Sequence, residues 1–315
     1  MQQKVLITGG TGFLGRHLAL ALKAKYDVTI TGRNNKQNFY AGQISGCKTM
    51  PMDVTNIESV RDVIVEVKPD IVIHAAATKF VDLSEVQPME CIDVNVVGSQ
   101  NVVRVALDKK VKSLIGISTD KAAPPIRNIY GLSKAAMERM FSSMDGKTDT
   151  KVMSVRYGNV AWSTGSVLPI WKRMHEETKL IGTTGPDMTR FFFTVNEAVN
   201  LVVAGLDNID TLHGKVLSRT MRAASIRELL DVWIENFGGK WEKIEGRPGD
   251  RNYEALISEV ETRFTTTQMI NGILHYVITF NKEQNNCLKE AVTSDNAERL
   301  TKQELLNIIT KPPKE

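Results

Sequence analysis

Three features of this sequence predict an α/β fold, a doubly wound and mostly parallel sheet with a smaller C-terminal lobe. Apolar β-branched runs alternate with amphipathic helical stretches through the first half of the chain. A glycine-rich turn, "GGTGFLG", stands between the first such run and the first helix. Beyond about Asn159 the alternation weakens, as expected where a chain leaves a repeating βαβ core. The expected division is 1–158 for the core and 159–315 mainly for a substrate-binding lobe, with some segments returning to the core.

The first strand is "KVLIT", and the helix after the turn carries Leu14, Leu18, Ala21 and Leu22 on an apolar-periodic face. Between them Gly9 permits a tight turn, Gly12 lets a pyrophosphate approach the backbone, and Gly15 lets helix and strand pack closely. Unpaired N–H groups and the positive dipole end at the helix start favour phosphate. This Rossmann-type arrangement sets Gly9, Thr11, Gly12, Phe13, Leu14 and Gly15 against a dinucleotide. The second strand, "YDVTITGRN", ends on Gly32, Arg33 and Asn34. A carboxylate there would grip a ribose 2′-hydroxyl and repel a 2′-phosphate; none is present. The Arg33 guanidinium suits a phosphate, which favours NADP over NAD. The alternative for Arg33 is a solvated surface residue.

The alternation continues through "TMPMDVTN" and a helix, the strand "DIVIHAAATK", a helix from about Pro88 to Asp108, and the strand "VKSLIGIST". Ligands in such sheets lie beyond the carboxyl ends of the strands. Asp53, Val54, Ala75 to Lys79 and Ser118 to Lys121 are therefore expected at one crevice, with Val54, Ala75 and Ala76 on the cofactor. Asp53 has two readings, an acceptor for an adenine amino group or the cap of the next helix.

The stretch "STDKAAPPIRNIYGLSK" then places an acid, two lysines and a tyrosine within one loop and one helix start. Tyr130 and Lys134 share a helix face at i, i+4 spacing. An ammonium there stabilises a tyrosinate, and an oxidised nicotinamide would add to the effect. Tyr130 then suits removal of a hydroxyl proton as hydride leaves the same carbon.

Composition narrows the class. The chain has 315 residues, is 42% hydrophobic and carries a formal net charge of +4 without a long basic block. That suits a large enzyme core and argues against a nucleic-acid partner. Three scattered cysteines, Cys47, Cys91 and Cys287, make neither a disulfide framework nor a metal cage, so no metal is expected. No apolar run approaches the roughly 20 residues of a membrane span. The opening "MQQKVLITGG" shows no signal-peptide pattern. The expectation is a cytoplasmic protein.

The segments "TGGTGFLG", "HAAATK" and "YGLSK" resemble the extended short-chain dehydrogenase/reductase family, and the resemblance spans the chain. "STDKAAPP", "RYGNVAWSTGSVLPIW", "DMTRFFFT" and "GRPGD" are similar to the soluble, C5-inverting UDP-N-acetylglucosamine 4,6-dehydratases of bacterial surface-sugar synthesis. That resemblance implies hydride transfer from C4 to NADP, loss of water across C5 and C6, and return of hydride to C6. It makes Tyr130 the base at O4, with Lys134 as its partner. Retaining relatives carry Thr-Asp-Glu where this chain has Thr119-Asp120-Lys121, so Lys121 is implied as the C5 base and Asp120 as the acid for the departing hydroxyl. Lysine must then lose its proton near neutrality, through desolvation and nearby cations, while burial keeps one on the aspartate. The bland alternative is an ordinary surface loop pair.

The resemblance also implies a UDP-sugar contacted by Lys79, Asn159, Arg190 and Arg247, and a homo-oligomer. Glu254 faces either the uridine or solvent from a helix surface. Two departures stand out: the spacing from Asp120 to Tyr130 is one residue longer than the family's, and "WSTGS" puts Trp162 and Thr164 where a small residue and an arginine are usual. A bulky indole at Trp162 is expected to reshape the sugar pocket. In the tail, Leu300, Leu305, Leu306 and Ile309 predict a docking helix with Thr301 and Glu304 as a capping box. The competing functions are a UDP-sugar 4-epimerase or 4-keto reductase, and, more remotely, a non-catalytic dinucleotide sensor.

Overall fold

The computed structural model describes residues 2–246 and 250–313. Its centre is a nine-stranded sheet. Six strands come from the first half of the chain: β1 (Lys4–Thr8), β2 (Asp27–Gly32), β3 (Lys48–Pro51), β4 (Ile71–His74), β5 (Ser113–Thr119) and β6 (Lys151–Tyr157). They run parallel in the order β3-β2-β1-β4-β5-β6. Strand Val216–Arg219 adds parallel to β6, and the antiparallel hairpin Thr265–Ile270 and Ile273–Ile278 closes that edge. C-terminal residues thus complete the same sheet.

Register explains the two apolar layers. Leu6, Val72, Leu114 and Val152 pair across β1, β4, β5 and β6 and face one side, where they meet Val60, Val63, Val102 and Phe141 of the covering helices. Their neighbours Val5, Ile7, Ile73, Ile115 and Met153 face the other side, against Leu18 of helix α1 (Phe13–Leu22) and Val199 and Val202 of helix Val195–Asp207. Both faces are covered, so β4 and β5 are buried along their whole length. A third apolar cluster holds Leu168, Trp171, Ile181, Leu229 and Trp233 with Leu305 and Ile309 of the tail helix Lys302–Thr310. The Thr301–Glu304 capping box forms as expected.

The expected helix from Pro88 to Asp108 is interrupted. It divides into Pro88–Ile92, one π-helical turn at Asp93–Val97, and Gly98–Asp108. The wide turn aims the Asn95 amide at the loop after β4: Nδ2 donates to the Thr78 carbonyl at 3.0 Å and to Ser133 Oγ at 2.9 Å, while Oδ1 accepts from Thr78 N–H at 2.9 Å.

A buried ion cluster fixes the parts that matter most. Arg156 on β6 is fully buried. It grips Glu138 of helix Ile129–Ser142 through Nε at 2.9 Å and Nη2 at 2.6 Å. Its Nη1 and Nη2 reach Glu261 at 3.0 and 2.9 Å, and Nη1 also donates to the Leu256 carbonyl at 2.9 Å. One guanidinium thus ties β6, the helix that begins with Tyr130, and the segment around Leu256. Replacing it leaves two buried carboxylates unpaired. Arg156→Met should cost about 3–5 kcal/mol, read as a lower midpoint in urea denaturation. A loss below about 1 kcal/mol would show that the cluster carries little of the fold.

Candidate active site

A crevice of about 940 Å3 opens at the carboxyl ends of the parallel strands. The turn after β1 forms one wall. Gly9 has φ +64°, and a Cβ there would meet the backbone of Ala76 at 2.6 Å, so turn and β4 loop meet backbone to backbone. Gly9, Thr11, Gly12, Phe13, Leu14, Gly15, Arg33, Val54, Ala75 and Ala76 all line this part. The donors at the start of α1 and the absence of side chains at Gly9 and Gly12 suit a pyrophosphate, so the residues present fit a dinucleotide. Arg33 stands at the end of β2, and its Nη1 lies 3.3 Å from Glu90 Oε1 at the surface.

Asp53 is not among the residues that line the crevice, and the capping reading does not describe its contacts. Its Oδ1 accepts from Thr55 N–H at 2.9 Å and Thr55 Oγ1 at 2.8 Å. The helix that follows is capped by Asn56 instead, which sits at the position from which a side chain reaches the first free N–H groups.

The second part of the crevice gathers Thr119, Lys121, Tyr130, Lys134, Tyr157, Asn159, Lys79 and Arg190. β5 delivers Thr119, and a single 3₁₀ turn, Asp120–Ala122, turns the chain over the strand end. Helix Ile129–Ser142 starts directly against it: a Cβ on Gly131 would lie 2.3 Å from the Lys121 carbonyl oxygen. The extra residue between Asp120 and Tyr130 is therefore absorbed in the loop, and Lys121 and Tyr130 still line one space.

Asp120 is fully buried and does not line the crevice. Its Oδ1 accepts from Thr119 Oγ1 at 2.9 Å and from Lys121 Nζ at 3.1 Å. Its Oδ2 has no hydrogen-bond partner among the described residues. It lies behind crevice-lining Gly158, where a Cβ would approach it to 3.1 Å. The surface loop pair is thus excluded by burial.

The charge environment of Lys121 differs from the expectation. Burial works to lower its pKa, but Asp120, and then Glu254 at 3.7 Å, more than offset it, and the ammonium is held well above the ordinary lysine range. The cation Arg190 opposes them with a smaller effect. Sequence reasoning supplied desolvation and neighbouring cations; it had no means of supplying the second carboxylate.

Tyr130 also departs from the simple picture. Burial pushes its phenol up to about 12, and the charge of Lys121, followed by a hydrogen bond with Thr119, pulls the other way. Lys121, rather than Lys134, is the largest opposing influence. Burial lowers Lys134 to about 8, against Glu138 and Cys91, and its Nζ lies 3.5 Å from Met137 Sδ. Burial likewise lowers Lys79.

Glu254 is neither on a helix nor at the surface, and it does not line the crevice. It is buried just ahead of strand Ala255–Ile257, behind Lys121. Arg190 donates from Nη1 to the Thr189 carbonyl at 2.7 Å, which fixes its guanidinium at the crevice. Arg247 lies outside the described residues. Trp162 has φ +63° and does not line the crevice; its indole N–H donates to the Ile308 carbonyl of the tail helix at 2.6 Å. The expected reshaping of the pocket by an indole is therefore corrected: Thr164 lines the crevice, and Trp162 anchors the tail. Tyr157 and Gly158 also line the crevice, and their adjacency to Asn159 is the signal for them in the sequence. Among the described residues no group of His, Cys, Asp and Glu is arranged to hold a metal ion, and no helix is long and apolar enough to cross a membrane.

The sequence pattern of the polysaccharide biosynthesis protein family matches residues 5–274. A UDP-N-acetylglucosamine 4,6-dehydratase (inverting) of Campylobacter jejuni is 33% identical over 279 residues, 84% of this chain and 80% of that protein. A UDP-glucose 4-epimerase of Rickettsia felis is 32% identical over 341 aligned positions, 98% of this chain and 96% of that protein. The X-ray structure of Pen from Bacillus thuringiensis superposes with a TM-score of 0.88 at 28% identity, over 98% of this chain and 97% of that one. A Rossmann-type sheet, a glycine-rich turn against the β4 loop, and this extent of shared sequence lead to one conclusion: the chain belongs to the polysaccharide biosynthesis protein family, among the extended short-chain dehydrogenases/reductases.

Proposed function

We propose that this protein is an NADP-dependent UDP-N-acetylglucosamine 4,6-dehydratase that inverts C5 and makes a UDP-4-keto-6-deoxy-hexosamine for surface-glycan synthesis. The observation that carries this reading is the Asp120–Lys121 pair, of which Lys121 lines the crevice with Tyr130 while Asp120 lies buried directly behind it, and which is superfluous to oxidation and re-reduction alone. A bound nicotinamide dinucleotide would accept hydride from C4 and give it back at C6. Tyr130 removes the O4 proton, and Lys134, which lines the same crevice, would help to hold the dinucleotide and add positive charge to the site. Lys121 takes the proton from C5, which the 4-keto group has made acidic. Asp120 gives its proton to O6, which leaves as water. Thr119, bonded to Asp120 and to the Lys121 backbone, holds both in register.

Lys79, Asn159 and Arg190 face the same space and supply charge and hydrogen bonds for the sugar and the diphosphate of a UDP-sugar. Arg33 favours NADP, since the end of β2 carries no carboxylate of its own. Exposed Leu83, Val86, Met89 and Ile92, with Leu132 of the adjoining helix, form an apolar face suited to a second copy in a cytoplasmic homo-oligomer. The second reading, a UDP-sugar 4-epimerase, draws on the Rickettsia relative and uses Tyr130 and Lys134 while leaving Asp120 and Lys121 idle.

Proton NMR of the protein with UDP-N-acetylglucosamine and catalytic NADP should show a new C6 methyl signal and a 4-keto sugar. Appearance of the 4-epimer alone would favour the epimerase. NADP should bind more tightly than NAD, and Arg33→Ala should remove roughly tenfold of that preference, about one charge-assisted hydrogen bond; equal affinities in the unaltered protein would reject the NADP assignment.

A further inference from the structure

Lys121 is enclosed by acceptors from three parts of the chain. Its Nζ lies 3.1 Å from Asp120 Oδ1, 3.3 Å from Asn159 Oδ1 and 3.7 Å from Glu254 Oε1. Glu254 is held firmly. Its N–H donates to Ser294 Oγ at 3.0 Å, and the strand it leads into is tied to Arg156 through the Leu256 carbonyl. The residue is 5% exposed, and its Oε2 has no hydrogen-bond partner among the described residues. A buried carboxylate oxygen left in that condition opposes folding. None of the roles assigned so far accounts for it.

We propose that Glu254 is a positioning residue that keeps a shared proton on Lys121 in the resting site, so that Asp120 and Lys121 wait as carboxylate and ammonium until one proton passes from Nζ to Oδ1. This rests on the dehydratase reading. The transfer runs along the existing 3.1 Å hydrogen bond and yields a carboxylic acid and a neutral amine. Those are the two forms that elimination uses. In that step the C5 proton goes to Nζ, and the C–H electron pair becomes the C5–C6 double bond. The C6–O6 bond breaks, and O6 departs as water with the Asp120 proton. The pair then stands again as carboxylate and ammonium, with no net proton gained or lost.

The groups facing Nζ set the balance. Asp120 acts from the same turn, Glu254 from ahead of strand Ala255–Ile257, Arg190 from strand Thr189–Phe193, and Tyr130 from helix Ile129–Ser142. Once Asp120 takes the proton, Glu254 is the carboxylate that still favours the ammonium. It therefore opposes premature formation of the amine and holds the side chain at the crevice floor. A cationic ring and the arginines around a bound diphosphate would press the other way.

The test is the pH dependence of C5 deuterium exchange from D2O into UDP-N-acetylglucosamine, compared for the unaltered protein, Glu254→Gln and Glu254→Asp. Removing the Glu254 charge lowers the proton affinity of Nζ, so the shared proton is lost to solvent at lower pH. The basic limb should move down by about one unit in Glu254→Gln, and by less in Glu254→Asp, which keeps the charge but withdraws it. A folded Glu254→Gln protein whose limb superimposes on that of the unaltered protein overturns the proposal. Should the glutamine variant not fold, an unmoved limb in Glu254→Asp does the same. A second readout is independent of turnover: the 13Cε signal of Lys121 in lysine-labelled protein, assigned by its loss in Lys121→Arg. It should titrate at lower pH in the Glu254 variants, and identical titration overturns the proposal. If the unaltered protein exchanges no C5 proton, the dehydratase reading fails by itself, and the Lys121 signal still decides whether Glu254 governs that ammonium.

Discussion

Everything about this site depends on the burial of Arg156. A guanidinium without solvent must find matched charge, and here it finds two carboxylates and a carbonyl from different parts of the chain. Glu138 lies on the helix that begins with Tyr130 and carries Lys134; Glu261 and Leu256 lie in the segment that Glu254 leads into. Arg156 itself is on β6, next to the strand that ends at Thr119. The clamp thus sets the distance between the tyrosine helix, the Thr119-Asp120-Lys121 turn and the carboxylate behind it. Such a cluster contributes less to net stability than to fixing one arrangement of its parts.

The same architecture underlies the proton chemistry we propose. Asp120 lies at the end of a fully buried strand, so its charge must be balanced on the spot, and Lys121 does that. Glu254 then tilts the balance toward the ammonium. A lysine base and an aspartic acid differ from this ion pair only by the position of one proton, so a site that rests in the stable form and reacts in the other needs no proton from bulk water. Gly158 and Gly131 serve this arrangement by what they lack: a side chain at either position would push into Asp120 or into the Lys121 backbone.

Much of this was legible in the sequence, and what was not has a common cause. The strand, turn and helix around Gly9, the parallel sheet, and the placement of Tyr130 and Lys134 at one helix start follow from local period and spacing. The capping box at Thr301 does too. The Arg156–Glu261 pairing spans 105 positions, and a lone glutamate at 254 reads as a uridine contact or as helix surface until its neighbours are placed. Asp53 does not cap the helix after it because Asn56 stands three residues on and is the better placed cap. Trp162 was misread because a positive φ turns its side chain toward the tail helix, a choice made by packing rather than by pattern. Local rules name the elements; contacts between distant segments set the charges.

The most direct test of the account is a single turnover of Lys121→Ala with UDP-N-acetylglucosamine and stoichiometric NADP in D2O, following reduced-cofactor absorbance and deuterium at C5 together. The account predicts that the C4 oxidation signal still forms while C5 exchange and the 6-deoxy product disappear. Deuterium incorporation and product formation at the unaltered rate would contradict it, because Lys121 would then have no part in the chemistry at C5.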